Sequence, residues 1–151
     1  MDERDEQLYR QHGRELIRFA TSLVGASQAE DVVASAVVKA MTARAWPTVS
    51  EPRAYLFRSV LNEAHTVARA ERRRSLREVR TAQQERSDTG AVALEVRDAM
   101  ARLSLRERSV LYLAYWLDFS VEEIAATLRI SQRSAERALH SARLELEETL
   151  S

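Results

Sequence analysis

The side chain with the most chemistry to offer in this sequence is arginine. Of 23 basic residues, all but Lys39 are arginine. A guanidinium presents planar, paired donors that match a phosphate or a guanine edge. Arg69, Arg73 and Arg77 recur at i, i+4 and i+8, so a helix lines three guanidiniums along one face. With Arg58, Arg72, Arg74 and Arg80 set against Glu63, Glu71 and Glu78, residues 58–80 hold a net charge of +4. A basic helix end of this kind neutralises phosphates, the main affinity term for nucleic acid. A solvated helix end with local glutamate partners is the plain alternative.

A second set of candidates lies between residues 120 and 146. A short helix over 121–128, the turn Arg129-Ile130-Ser131 and a longer helix give the outline of a helix-turn-helix. Ala125 is small enough for the second helix to cross closely, and Ile130 can plug the core between the two. In such a unit the second helix enters the major groove. Its exposed candidates are Gln132, Arg133, Glu136, Arg137 and His140. Arg reads guanine, Gln reads adenine, and Glu accepts from cytosine. The turn position that favours glycine is Arg129 here, so a left-handed backbone there carries strain. An ordinary helical hairpin is the competing reading.

No catalytic constellation accompanies these groups. His12, His65 and His140 are far apart and lack ligand-like spacing with carboxylates, so no metal and no cofactor is expected. Gly13, Gly25 and Gly90 form no phosphate-cradling loop. Cysteine is missing, which excludes disulfide scaffolds and thiol catalysis. Trp46, beside Pro47, can stack on a base or anchor a helix end. Tyr112, Tyr115 and Trp116 are expected to pack the second half's core or its interface with the first.

The elements that must position these residues are helical. In 151 residues there are 3 Gly and 2 Pro, and Ala, Leu, Arg and Glu abound. Apolar stripes run through Leu16–Leu23, Val33–Ala40 and Phe57–Ala68, then Val92–Leu103, Val110–Leu117, Val121–Leu128 and Ala135–Leu146. Gly25 reads as a C-cap. Ser27, Ser104 and Ser120, each with Glu three residues on, read as capping boxes, and Ser50 and Ser131 read as simple caps. Residues 81–90, TAQQERSDTG, have no apolar rhythm and read as a linker. No run of about 18 apolar residues exists, so no membrane insertion is expected. The acidic, polar N-terminus does not read as a signal peptide, and a cytoplasmic location is expected. The 23 acidic residues balance the 23 basic ones only in sum: residues 1–80 carry +3 and residues 81–151 carry −3.

Taken together, the two halves resemble the extracytoplasmic-function sigma factors, the smallest sigma subunits of bacterial RNA polymerase. The resemblance rests on LYRQHGRELIRFATSLVG, AEDVVASAVVKAM and RAYLFRSVLNEA in the first half. In the second it rests on ARLSLRERSVLYLAYWLDFSVEEIAATLRIS and LHSARLEL. It implies an all-α fold of two small helical domains joined by a flexible linker. The domains would be 6–78, which binds core polymerase and the minus-ten element, and 93–149, which binds the minus-thirty-five element, with 79–92 between them. Glu30, Asp31, Val33 and Lys39 would meet core polymerase at the clamp of its largest subunit, and the second domain would meet the flap of the second-largest. Trp46, Arg58, Asn62, Arg69, Arg72, Arg73 and Arg77 would act at melted minus-ten DNA. Gln132, Arg133, Glu136, Arg137 and His140 would face the upstream element. The implied role is a non-catalytic specificity subunit that recognises and melts promoter DNA, with an anti-sigma factor as a further partner.

The sequence departs from the family pattern in three places. Ala34-Ser35-Ala36-Val37 replaces the usual Gln-acidic-aromatic run of the clamp helix. The melting loop is short. Glu136 stands where the family has lysine, so upstream reading is expected to be altered or weak. Two alternatives follow: a helix-turn-helix regulator acting without polymerase, and a sigma-like interaction protein with altered promoter reading.

Overall fold

The stripes become helices that bury them. In the computed structural model, which describes residues 2–77 and 98–150, α1 spans Glu3–Val24, α2 Ala26–Thr42 and α3 Pro52–Arg77. A 3₁₀ turn, Trp46–Thr48, connects α2 to α3. In the second half α4 covers 98–102, α5 Leu105–Tyr115, α6 Val121–Leu128 and α7 Gln132–Leu150. Among the described residues there is no strand. The expected linker at 79–92, with Arg80, Val92 and Val96, lies outside the described residues, as does the side chain of Arg77.

The helix ends follow capping chemistry, with two corrections. The Asp2 carboxylate accepts from the Asp5 backbone N–H at 2.8 Å. Glu3, Asp5 and Glu6 fill the first turn, where negative charge meets the positive end of the helix dipole. The acidic start of the chain is therefore a helix cap, and α1 begins three residues before position 6. Gly25, not Ser27, caps α2. Its φ of +89° suits glycine, and its N–H donates to the Thr21 carbonyl at 2.9 Å, so one residue ends α1 and starts α2. Glu51, not Ser50, caps α3, because its carbonyl takes the first helical bond, from the Tyr55 N–H at 3.1 Å. Ser104 with Glu107 and Ser120 with Glu123 form full capping boxes, and Ser131 Oγ accepts from the Ser134 N–H at 3.0 Å.

The first bundle packs Leu16, Phe19 and Leu23 of α1 against Val33 and Val37 of α2 and Phe57 and Val60 of α3. The second packs Val110 and Leu113 of α5 against Ile124 of α6 and Leu139 of α7. Either core is small for independent stability. The two join into one apolar cluster. Phe19 lies edge-on to Phe57 at 5.0 Å and beside Tyr112 of α5 at 5.6 Å, and Phe57 meets Phe119 at 6.4 Å. Asp118, at φ +53°, turns the chain so that Phe119 reaches the first bundle. Aspartate is among the residues that tolerate this conformation.

Candidate nucleic-acid interface

The helix-turn-helix forms as its residues dictate. Arg129 takes the left-handed conformation, φ 55° and ψ 48°, so the strain expected of a non-glycine residue is present. The Ile130 N–H donates back to the Ala125 carbonyl at 3.0 Å and closes the turn. Ala125 is buried where α7 crosses α6. Ala135, Ala138, Leu139 and Ala142 fix the inner face of α7. The opposite face presents Gln132, Arg133, Glu136, Arg137 and His140, all exposed. None of these five side chains makes a hydrogen bond or ion pair among the described residues.

The candidates of the first half are divided. Arg69, Arg72 and Arg73 are exposed along the end of α3, with Arg69 Nε donating to the His65 carbonyl at 3.3 Å. Asn62 is exposed two turns before Arg69 and lines a small cavity of about 250 Å³ with Tyr55, Ser59 and Lys39. Lys39, on α2, donates to Glu63 of α3 at 2.7 Å. A candidate polymerase contact and a candidate DNA contact thus share one hollow. Glu30 and Asp31 are exposed on α2.

Three expectations change. Val33 is 1% exposed and packs in the first core, so it holds α2 in place and offers no surface. Trp46 is 4% exposed. Its Nε1 donates to Asp5 Oδ1 at 2.9 Å and its ring lies 5.7 Å from Tyr55, which makes it the anchor of the α2–α3 connection. The physical reason is the early start of α1, which brings Asp5 to the indole. Of the three clustered aromatics, Tyr112 packs as expected, but Tyr115 and Trp116 are 52% and 62% exposed. Trp116 stacks flat on Tyr112 at 5.6 Å.

Arg58 sits between the two halves. Its Nη1 donates to the Thr127 carbonyl of α6 at 3.3 Å and its guanidinium lies 5.2 Å from the Tyr55 ring. Burial, then the charge of Arg129, lowers its pKa. Two further arginines that no sequence signal distinguished do similar work. Arg108 Nη1 donates to the Leu23 carbonyl at the end of α1 at 2.6 Å, while its buried Nε has no partner among the described residues. Arg53 pairs with Glu15 and lies 5.6 Å from the ring of Phe57 and 5.0 Å from that of Phe119.

Comparison with known proteins agrees with this geometry. Residues 8–74 match Sigma-70 region 2 and residues 93–146 match Sigma-70 region 4. The ECF RNA polymerase sigma factor SigL of Mycobacterium tuberculosis is 33% identical over 150 residues, covering 89% of this chain and 82% of SigL. The RNA polymerase sigma-E factor of Streptomyces coelicolor is 32% identical over 155 residues, covering 96% of this chain and 85% of that protein. In structure, the sigma factor RpoE of Bartonella quintana, solved with the anti-sigma factor NepR, superposes with a TM-score of 0.77 at 23% identity, covering 96% and 95% of the two chains. CnrH, solved with the cytosolic domain of CnrY, superposes with a TM-score of 0.63 at 26% identity, covering 97% and 86%. With both regions matched in order and relatives similar along most of its length, the chain belongs to the extracytoplasmic-function family of RNA polymerase sigma factors and serves promoter-directed transcription initiation.

Proposed function

We propose the following division of labour within that role. Residues 6–78 dock on the clamp of the polymerase's largest subunit through Glu30, Asp31 and Lys39 of α2. The same unit binds melted minus-ten DNA through Asn62, Arg58, Arg69, Arg72, Arg73 and Arg77 of α3. Residues 93–149 meet the flap of the second-largest subunit and read the upstream element through Gln132, Arg133, Glu136, Arg137 and His140. Catalysis belongs to the core enzyme, and the chain works in the cytoplasm, where that enzyme is. The chain is held in check by an anti-sigma factor, as RpoE and CnrH are solved with such partners or their cytosolic domain.

The observation that carries this reading is the α7 face. Five polar side chains are exposed on one side of a recognition-type helix and make no internal bonds among the described residues. Exposed Glu136 favours an altered upstream preference, because it repels phosphate and suits a cytosine amino group. The test is to mix the chain with purified core polymerase and sequence the DNA retained. Enrichment of one asymmetric two-part site is expected only when both proteins are present. Failure to form a complex with core enzyme at low salt contradicts the docking assignment. Binding of a palindrome by the chain alone favours a polymerase-independent regulator instead.

A further inference from the structure

Packing the two domains together creates a second basic feature, separate from the α7 face. A groove of about 610 Å³ lies between the end of α3 and the corner where α4 meets α5. Its walls carry His65 and Arg72 from the first domain and Ser104, Arg106 and Arg108 from the second. Arg69 stands beside His65 on the next turn of α3. Glu71 is the one carboxylate on its described walls, and it already accepts a hydrogen bond from Gln28. Glu107 is engaged elsewhere, with the Ser104 N–H and Ser141 Oγ.

Cations from two domains therefore converge, with Glu71 the one carboxylate among the described lining residues. Among the described residues, no carboxylate lies within ion-pair distance of Arg69, Arg72 or Arg106. The imidazole of His65 registers the result. Its pKa is lowered from 6.5, first by burial and then by Arg69, Arg106 and Arg72. The positive end of the α5 dipole adds to the same field. Like charges gathered at a domain contact raise the energy of that contact until an anion offsets them. Guanidiniums on opposing walls suit phosphate oxygens, each wall supplying paired donors. At about 610 Å³ the groove has room for more than one phosphate group.

We propose that this groove is a phosphate-binding site, taking two adjacent phosphates between Arg69 and Arg72 of α3 and Arg106 of α5. A bound diphosphate unit would bridge the domains and favour their packed arrangement. The unit can come from a free pyrophosphate-bearing metabolite or from a nucleic-acid backbone. The site shares Arg69 and Arg72 with the minus-ten face proposed above, whereas Arg106 belongs to neither promoter face, so substituting Arg106 tests the groove apart from promoter contacts and polymerase docking.

The test uses the full chain without polymerase, at low salt, titrated by calorimetry with inorganic pyrophosphate. A parallel titration uses a short single-stranded oligodeoxynucleotide of arbitrary sequence. Arg106→Gln removes one wall's charge at an exposed position, and Arg44→Gln, at an exposed position away from the groove, is the control. Saturable pyrophosphate binding, weakened about tenfold by Arg106→Gln and unchanged by Arg44→Gln, supports the site with a free ligand. In that case the ring protons of His65 titrate at higher pH when pyrophosphate is present. Oligonucleotide binding weakened by Arg106→Gln, without pyrophosphate binding, supports the site with nucleic acid as the source. If Arg106→Gln leaves both titrations unchanged, or neither ligand binds, the proposal is overturned.

Discussion

The two faces assigned to DNA are built differently. On α7, the candidate residues stand on one side of a helix whose other side is core, and they make no bonds within the described protein. On the first domain, the candidates are scattered among three environments. Arg69, Arg72 and Arg73 are exposed, Arg58 bonds to the second domain, and Trp46 is buried against Asp5. The difference shows that a helix face can be read from its own periodicity. A face made by a loop and a second domain cannot, because the covering groups come from distant sequence.

This contrast can be broken by substitution. The largest effect is expected where the domains meet. Phe57→Ala empties a fully buried site between Phe19 and Phe119 and should cost about 3–5 kcal/mol in urea unfolding. Gln132→Ala on the α7 face should stay within about 0.5 kcal/mol of the parent. Equal losses at the two positions would erase the distinction between a structural and a free face.

Trp46→Phe comes next. It keeps the ring but strips the donor from the buried Asp5 carboxylate, which should cost about 1–3 kcal/mol of stability. Promoter opening below the melting temperature should be unchanged. A variant as stable as the parent that opens promoters poorly would return Trp46 to a base-stacking role. Arg133→Ala inverts that pattern. Its stability should be unaffected, while preference at one upstream base pair relaxes by about 1–3 kcal/mol, read by competition among single-base promoter variants.

Arg129→Gly should add about 1–2 kcal/mol of thermal stability, because glycine takes the left-handed turn without the Cβ penalty. A loss would mean the Arg129 side chain stabilises the turn by more than the strain costs. The smallest effect is on pH dependence. His65 has a lowered pKa in the folded chain, so the unfolded chain binds its proton first as pH falls. The stability this residue contributes is complete above the ordinary histidine value of 6.5 and declines as pH drops through and below it. His65→Gln should flatten that part of the stability–pH curve.

Much of this architecture was legible because it is local. Ser104-x-x-Glu107 and Ser120-x-x-Glu123 cap helices through side chains three residues apart, and both boxes form. Arg129 in the turn announced its strain by residue type alone. Val33 is instructive: its apolar stripe with Ala36, Val37 and Ala40 already pointed inward, against the surface role the family resemblance implied. What could not be read depends on separation along the chain. Asp5 and Trp46 are 41 residues apart, and Arg108 and Leu23 are 85 apart. Nothing in LRERS distinguishes Arg108, whose guanidinium is drawn inward by the α1 end, from exposed Arg106 beside it. Gly25, with its positive φ, ends one helix and starts the next at a single residue, which places Ser27 inside α2 and not at its cap.

The most direct test of a chain that places and opens promoters with core polymerase is permanganate footprinting. The template is the promoter recovered with core enzyme and this protein together. Reactive thymines should appear across the minus-ten element only when both proteins are present, and should fade when Arg69, Arg72 and Arg73 are replaced by alanine. Reactivity that needs no added chain, or equally tight binding of the same DNA by the chain alone, would contradict the account.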